Sequence, residues 1–241
     1  MKNNSYSSEF YAQQKKNSYN SAKAILAHLF DQFRPGSVVD FGCGVGTWLA
    51  AARELNGNSG SYLGLDGEWV NKEKIIAPGI DFLPKDLSSP IELGCRFDLA
   101  ISLEVAEHLP AQSAPEFIES IAKSSDIVLF GAAVPGQGGV DHINEQYQSF
   151  WYQLFTELGF ICLDAIRPYF FDDHRIGVAY RQNAFLYVKK DANPEMLLRA
   201  YPKVNPKMLN IVHPIILERH SNRLSDTRFL VKQLIKTVIG K

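Results

Sequence analysis

Ser37-Val38-Val39-Asp40-Phe41-Gly42-Cys43-Gly44-Val45-Gly46-Thr47-Trp48-Leu49 is the stretch that decides the fold. It opens apolar and β-branched, so Val38 and Val39 predict a short buried strand. Asp40 stands where that strand should end. Gly42, Gly44 and Gly46 then alternate with small residues, and Trp48 to Arg53 begins a helical pattern. Strand, glycine turn and helix make the first unit of a nucleotide-binding α/β fold. The glycines let a ligand lie against the backbone where a Cβ would collide. A dinucleotide fingerprint reads G-x-G-x-x-G. Here the third glycine comes one residue early and Thr47 fills its place. A carboxylate two residues before the first glycine is a poor neighbour for a pyrophosphate and a good one for an ammonium or sulfonium.

Val39 to Gly46 resembles motif I of the class I S-adenosylmethionine-dependent methyltransferases. The resemblance implies a Rossmann-like, doubly wound α/β fold: a seven-stranded sheet whose last strand is antiparallel. It implies S-adenosylmethionine as cofactor, held by Asp40, Gly42, Gly44 and Gly46. Ser61 to Gly67 reads as the second strand with Asp66 at its C-terminal end, where an acid accepts ribose hydroxyls. Ile80 to Leu87 reads as the third strand. By resemblance, Asp86 bonds the adenine amino group and the Leu87 amide bonds the ring. Asp86 before Ser88-Ser89-Pro90 is equally a turn former.

Phe97 to Val105 contains the fourth strand, with Asp98 a structural residue at its start. Leu103 and Glu104 fall at its C-terminal end, the functional edge of an open α/β sheet. Glu104-Val105-Ala106-Glu107-His108-Leu109 resembles an E-V-x-E-H-L signature of small-molecule methyltransferases. Leu103 is assigned to the cofactor and Glu104 to the cofactor or acceptor. Glu107 and His108 either start the next helix and tie down the loop or, for His108, serve as a reserve base. Ala114 to Ser124 is amphipathic, and Asp126 to Ala133 is the apolar fifth strand.

The loop Val134 to Gln146 is glycine-rich and carries Asp141, His142, Asn144 and Glu145. Functional groups concentrate on loops at this edge. His142 is the candidate general base, since imidazole ordinarily titrates near neutrality. Asp141 or Glu145 would orient it, and Asn144 would hold the acceptor. The plainer role for His142 is to buttress the helix that follows. No metal ligand set is assigned, although Glu104, Asp141 and His142 would be the trio to converge on a divalent ion.

Gly159 to Pro168 and Tyr180 to Val188 predict sixth and seventh strands joined without a helix, an antiparallel hairpin. Residues 135–151 and Tyr180-Arg181-Gln182-Asn183 resemble bacterial methyltransferases that accompany sugar and surface-polysaccharide biosynthesis. Gly177-Val178-Ala179 stands where many of them carry an aromatic pair, so the acceptor pocket should differ. The expected reaction is O-methylation of a sugar or glycan hydroxyl. The rivals are transfer to an amine or a phosphate oxygen, with Arg167, Arg175 and Arg181 around the phosphate, and a non-catalytic cofactor- or partner-binding domain. Arg181 and Asn144 are the acceptor-binding candidates.

A net charge of −1 gives no electrostatic case for nucleic acid. Cys43, Cys95 and Cys162 are dispersed and odd in number, which points to a reducing cytoplasm. Met1 to Asn20 lacks an apolar signal core. Tyr11 and Tyr19 are candidate lid residues, and Ser21 is a candidate cap for a helix running to Phe30. The chain divides into a methyltransferase domain with an N-terminal lid, 1–190, and a C-terminal part, 191–241. The latter is a proline-rich wrap followed by a basic amphipathic helix. Within it, residues 219–241 would contact a membrane surface or a partner enzyme.

Overall fold

A computed structural model describes residues 8–70, 75, 77–192 and 195–225, without the side chains of 8–16 and 223–225. Seven strands form one sheet: β1 (Ser37–Phe41), β2 (Ser61–Asp66), β3 (Asp81–Pro84), β4 (Leu99–Leu103), β5 (Ile127–Gly131), β6 (Phe160–Leu163) and β7 (Phe185–Lys189). Their order is β3-β2-β1-β4-β5-β7-β6. Strands β1 to β5 are parallel, and β7 runs antiparallel to both β5 and β6. The expected antiparallel last strand is therefore present, inserted between its two neighbours.

Period-two alternation sends each strand's side chains to two covered faces. On one face Val38, Leu99, Ile101 and Leu186 meet Ile25 and Leu29 of α1 (Ser8–Phe30) and Leu49 of α2 (Thr47–Leu55). On the other, Val39, Val128, Phe130 and Tyr187 meet Phe117 and Ile121 of α3 (Ala114–Ser124) and Trp151 and Phe155 of α4 (Gln148–Glu157). Both faces are dry, so the strands read as continuous apolar runs.

Three expectations change. Strands β6 and β7 are joined through two short helices, α5 (Arg167–Phe170) and α6 (Val178–Asn183), so they pair without forming a simple hairpin. Ser21 does not cap a helix: α1 begins at Ser8, and Ser21 is buried in its middle. Its hydroxyl donates to the Asn17 carbonyl at 2.7 Å and accepts from the Gly177 amide at 3.0 Å. Tyr19 is bonded to Glu54 of α2, beside the Lys23–Glu54 ion pair, so it fastens helix to helix. The Tyr11 side chain lies outside the described residues. Ser21→Ala should cost about 1–3 kcal/mol, because the Gly177 N–H loses its partner inside the fold. A lowered urea midpoint with an unchanged slope would register it.

Residues 195–225 lie back on the sheet domain. Leu197 and Tyr201 join the α1 side of the core, and Tyr201 donates to the His28 carbonyl at 3.0 Å. Lys203 bridges β6 at Leu163, covering that edge. Helix α7 (Glu195–Ala200) begins this wrap and α8 (Pro214–Ser225) ends it. Most of the expected basic helix, 226–241, lies outside the described residues. Among the described residues no helix is long and apolar enough to cross a membrane.

Candidate active site

The C-terminal ends of β1, β2, β4 and β5 bring two sets of side chains to one edge of the sheet. The first set belongs to the glycine turn. Gly42, Gly44 and Gly46 have φ of 85°, 53° and 79°, conformations that favour glycine. The Gly42 and Cys43 amides donate to the Leu65 carbonyl, strapping the turn across the end of β2. A Cβ on Gly44 would have nothing within 4 Å, so the turn presents an open backbone face there. A Cβ on Gly42 would stand 2.3 Å from Val105 Cγ2, so the turn passes directly against the segment after β4.

Asp66 is buried at the end of β2. Its two oxygens accept from the Gly44 and Gly67 amides, each at 2.8 Å. Each oxygen keeps a second lone pair. Asp40 is buried in β1, and burial, reinforced by the nearby Asp66 charge, pushes its carboxyl up to about 8. The Trp69 indole lies across Gly67 and is 81% exposed. Asp86 is exposed and accepts from the Ser88 amide and from the Ser88 and Ser89 hydroxyls. Those bonds hold its carboxyl below the usual range. Leu87 and Leu103 are buried.

The second set is formed by the segment after β4 and the loop after β5. Glu104 has φ 58°, an uncommon conformation for a side-chain-bearing residue. Its oxygens accept from Asn183 Nδ2 at 2.9 Å and Gln137 Nε2 at 2.6 Å. Asn183 also donates to Gln137 Oε1 at 2.9 Å, closing a triangle across three elements. Burial raises the Glu104 carboxyl despite these bonds.

Residues 106–108 form one 3₁₀ turn. The Glu107 carbonyl accepts from the Ile143 and Asn144 amides, which ties the two loops together. The Glu107 carboxyl is fully buried; neither oxygen has a side-chain hydrogen-bond partner, and only the Glu107 and Ala133 backbone amides oppose the cost of its burial. Burial first, then Glu104, pushes it up to about 9.

His142 Nδ1 is bonded to Glu145 Oε1 at 2.8 Å, and its Nε2 lies 4.0 Å from Glu107 Oε1. Glu145 also accepts from the Gly136 and Gly138 amides at 2.8 and 2.7 Å. His108 lies at right angles to His142, with ring centroids 4.8 Å apart, and its Nδ1 faces the Asp141 carbonyl at 3.3 Å. Of the two acids considered for orienting His142, Glu145 makes the contact, while Asp141 meets His108 through its backbone. Asn144 is buried and its amide is engaged by Ala106 and Gln146. Of the three arginines, Arg167 is bonded to Asp164 and the Leu209 carbonyl, and Arg175 is on the surface with Asp173. Arg181 is buried, with Nε and Nη1 unpartnered.

A family model described as a methyltransferase domain matches residues 13–165, more than half of the chain. The chain belongs to this methyltransferase-domain family. No curated protein sequence matches it. Among solved structures, the methyltransferase domain of bacterial CtHen1-C aligns with a TM-score of 0.55 and 15% identity, over 71% of this chain and 98% of that one. Magnesium protoporphyrin IX methyltransferase from Synechocystis PCC 6803, in complex with S-adenosylmethionine, aligns at 0.50 and 18%, over 72% and 80%. Human N-acetylserotonin methyltransferase, also with S-adenosylmethionine, aligns at 0.48 and 16%, over 70% of this chain. The chain spans about half (51%) of that protein's length. At these identities the likeness is one of fold.

In this methyltransferase-domain chain, sequence reasoning missed Glu107, Gln137 and Asn183 as members of the site edge. Gln137 and Asn183 lie in stretches that the resemblance singled out, but their bonds to Glu104 join segments distant in the chain. Glu107 carried a local signal: an acid three residues after Glu104 and one before His108.

Proposed function

We propose that the chain is an S-adenosylmethionine-dependent O-methyltransferase whose acceptor presents a hydroxyl, on a sugar or glycan, to the cluster of Glu104, Glu107, His108 and His142. The observation that carries this reading is the contact of the two sets. The glycine turn abuts Val105, within the segment that supplies Glu104, Glu107 and His108. The open face over Gly44 and the spare lone pairs of Asp66 fit S-adenosylmethionine, with the exposed Trp69 face beside them. Bound, that cofactor supplies a methyl carbon already activated by sulfonium. The chain's task is then to align the acceptor oxygen and to let its proton leave. The sugar assignment rests on the resemblance of residues 135–151 and 180–183. Incubation with labelled S-adenosylmethionine and a panel of sugar, phosphate and amine acceptors tests it, and label on phosphate or amine alone would refute it.

A second reading has one specific observation in its favour. Buried Arg181 holds two unpartnered guanidinium nitrogens, a suitable counterpart for an acidic group on the acceptor.

Asp40 gives the cofactor site a pH signature. The free chain keeps this proton up to about pH 8, whereas an unfolded aspartate loses it near about 3.9. Raising the pH across that window costs the free fold stability and favours a ligand that brings positive charge. Affinity for S-adenosylmethionine should therefore rise with pH, by at most about tenfold per unit, and level off above about 8. Calorimetric titrations across this range should show the rise, and Asp40→Asn should flatten it.

A further inference from the structure

We propose that Glu107, His108 and His142 form a binding site for a divalent transition-metal cation. One ligand atom from each lies within 4.8 Å of the others. Donors around a bound ion sit about 3.0–3.5 Å apart at bond lengths of about 2.1 Å, so donor pairs must approach each other by up to about 1.3–1.8 Å, a movement that side-chain rotation shared between two residues supplies.

Three independent features point to a cation. The Glu107 carboxyl is wholly buried, yet neither oxygen has a side-chain hydrogen-bond partner and only the Glu107 and Ala133 backbone amides face it. Burying such a group is costly unless something offsets it. Next, both imidazoles are held from the far side. Glu145 engages Nδ1 of His142 and the Asp141 carbonyl engages Nδ1 of His108. With its proton on Nδ1, each ring leaves Nε2 as the lone-pair nitrogen. A carboxylate or carbonyl behind a histidine is the usual way in which metal-ligating rings are oriented. Finally, the backbone is shaped around the cluster. Gly139 accommodates the His142 ring, since a Cβ there would lie 2.0 Å from Nε2. Asp141, whose carbonyl holds His108, is one of three non-glycine residues with positive φ among the described residues. Strain of this kind collects at ligand sites.

Two imidazoles and one carboxylate suit Zn²⁺, Co²⁺, Fe²⁺ or Mn²⁺ better than Mg²⁺ or Ca²⁺, which prefer all-oxygen shells. His108 is exposed, which leaves coordination positions open toward solvent. Cation binding stands independently of the methyl-transfer reading. That an open position receives the acceptor's hydroxyl oxygen rests on that reading.

The test uses the full chain, stripped with chelator and titrated with Co²⁺ in the absence of cofactor and acceptor. Visible absorption and calorimetry report binding, and thermal unfolding reports stabilisation. One Co²⁺ per chain is expected, with a rise in melting temperature. Glu107→Gln keeps the side-chain volume and removes a buried acid, so it should fold, and it should weaken Co²⁺ by at least tenfold. Glu145→Gln, which lies behind His142 and keeps an acceptor oxygen for the loop amides, should weaken it less and be distinguishable from Glu107→Gln. The exposed His174→Gln should change nothing. Absence of stoichiometric Co²⁺, or binding kept by Glu107→Gln, would overturn the site. Methyl transfer that survives chelation would remove the cation from the reaction while leaving the proposed function standing.

Discussion

His142→Ala should lower turnover about 10²–10⁴-fold at saturating cofactor and acceptor, the usual cost of removing a positioned catalytic group, whether its Nε2 takes the hydroxyl proton in the free chain or holds the cation that binds the hydroxyl oxygen. The size of the effect follows from where the ring points. Its Nδ1 is spent on Glu145, and its Nε2 faces the buried Glu107 carboxyl beside His108. The substitution should not unfold the loop, because Glu145 keeps the Gly136 and Gly138 amides. S-adenosylmethionine affinity should be retained, since the ring's bond is to Glu145 and its neighbours are Glu107 and His108. His108→Ala should lose less, its ring being exposed and held only by a longer contact to a carbonyl. Rapid-quench measurement of methyl transfer alongside cofactor titration separates the two quantities. Near-native turnover in His142→Ala would move the reaction away from this cluster.

Asp66→Ala should weaken S-adenosylmethionine binding by at least roughly tenfold, since each charge-assisted bond is typically worth about 1.5–3 kcal/mol. Two losses combine. The carboxylate that would receive the ribose hydroxyls disappears, and the Gly44 and Gly67 amides lose their acceptor. The turn itself should persist, because Gly42 and Cys43 stay bonded to the Leu65 carbonyl. Asp66→Asn keeps one acceptor oxygen and should fall between the parent and the alanine variant. Titration calorimetry showing parental affinity for Asp66→Ala would take the residue out of the cofactor site.

Local pattern alone determined much of this molecule. A β-branched pair, three glycines and a helical run specified β1, the turn and α2, because each feature depends on residues adjacent in the chain. The bounds of α3 coincide with the amphipathic stretch 114–124. The antiparallel course of β7 was implied by the resemblance and not by local pattern, since the connection after β6 is long enough to carry two short helices. Its position in the sheet followed from neither. Placing β7 between β5 and β6 depends on which edges remain free after the other strands have paired, and no local signal encodes that. Ser21 shows the same limit: serine is a good cap by propensity, but a hydroxyl in mid-helix is accepted when a distant amide, here that of Gly177, needs an acceptor.

The site divides along the same line. Position at strand ends and in the loop after β5, together with the resemblance, singled out Asp40, Asp66, Glu104, His108 and His142 as groups with chemistry to offer. Only tertiary structure decided what surrounds each one: amide donors on Asp66, two carboxamides on Glu104, and which of the two neighbouring acids stands behind His142. It also decided that Glu107 is buried without a side-chain partner while Asn144 is consumed by Ala106 and Gln146. Burial and the second partner of a polar group are set by segments far away in sequence, and those are the quantities that turn a list of polar residues into a site.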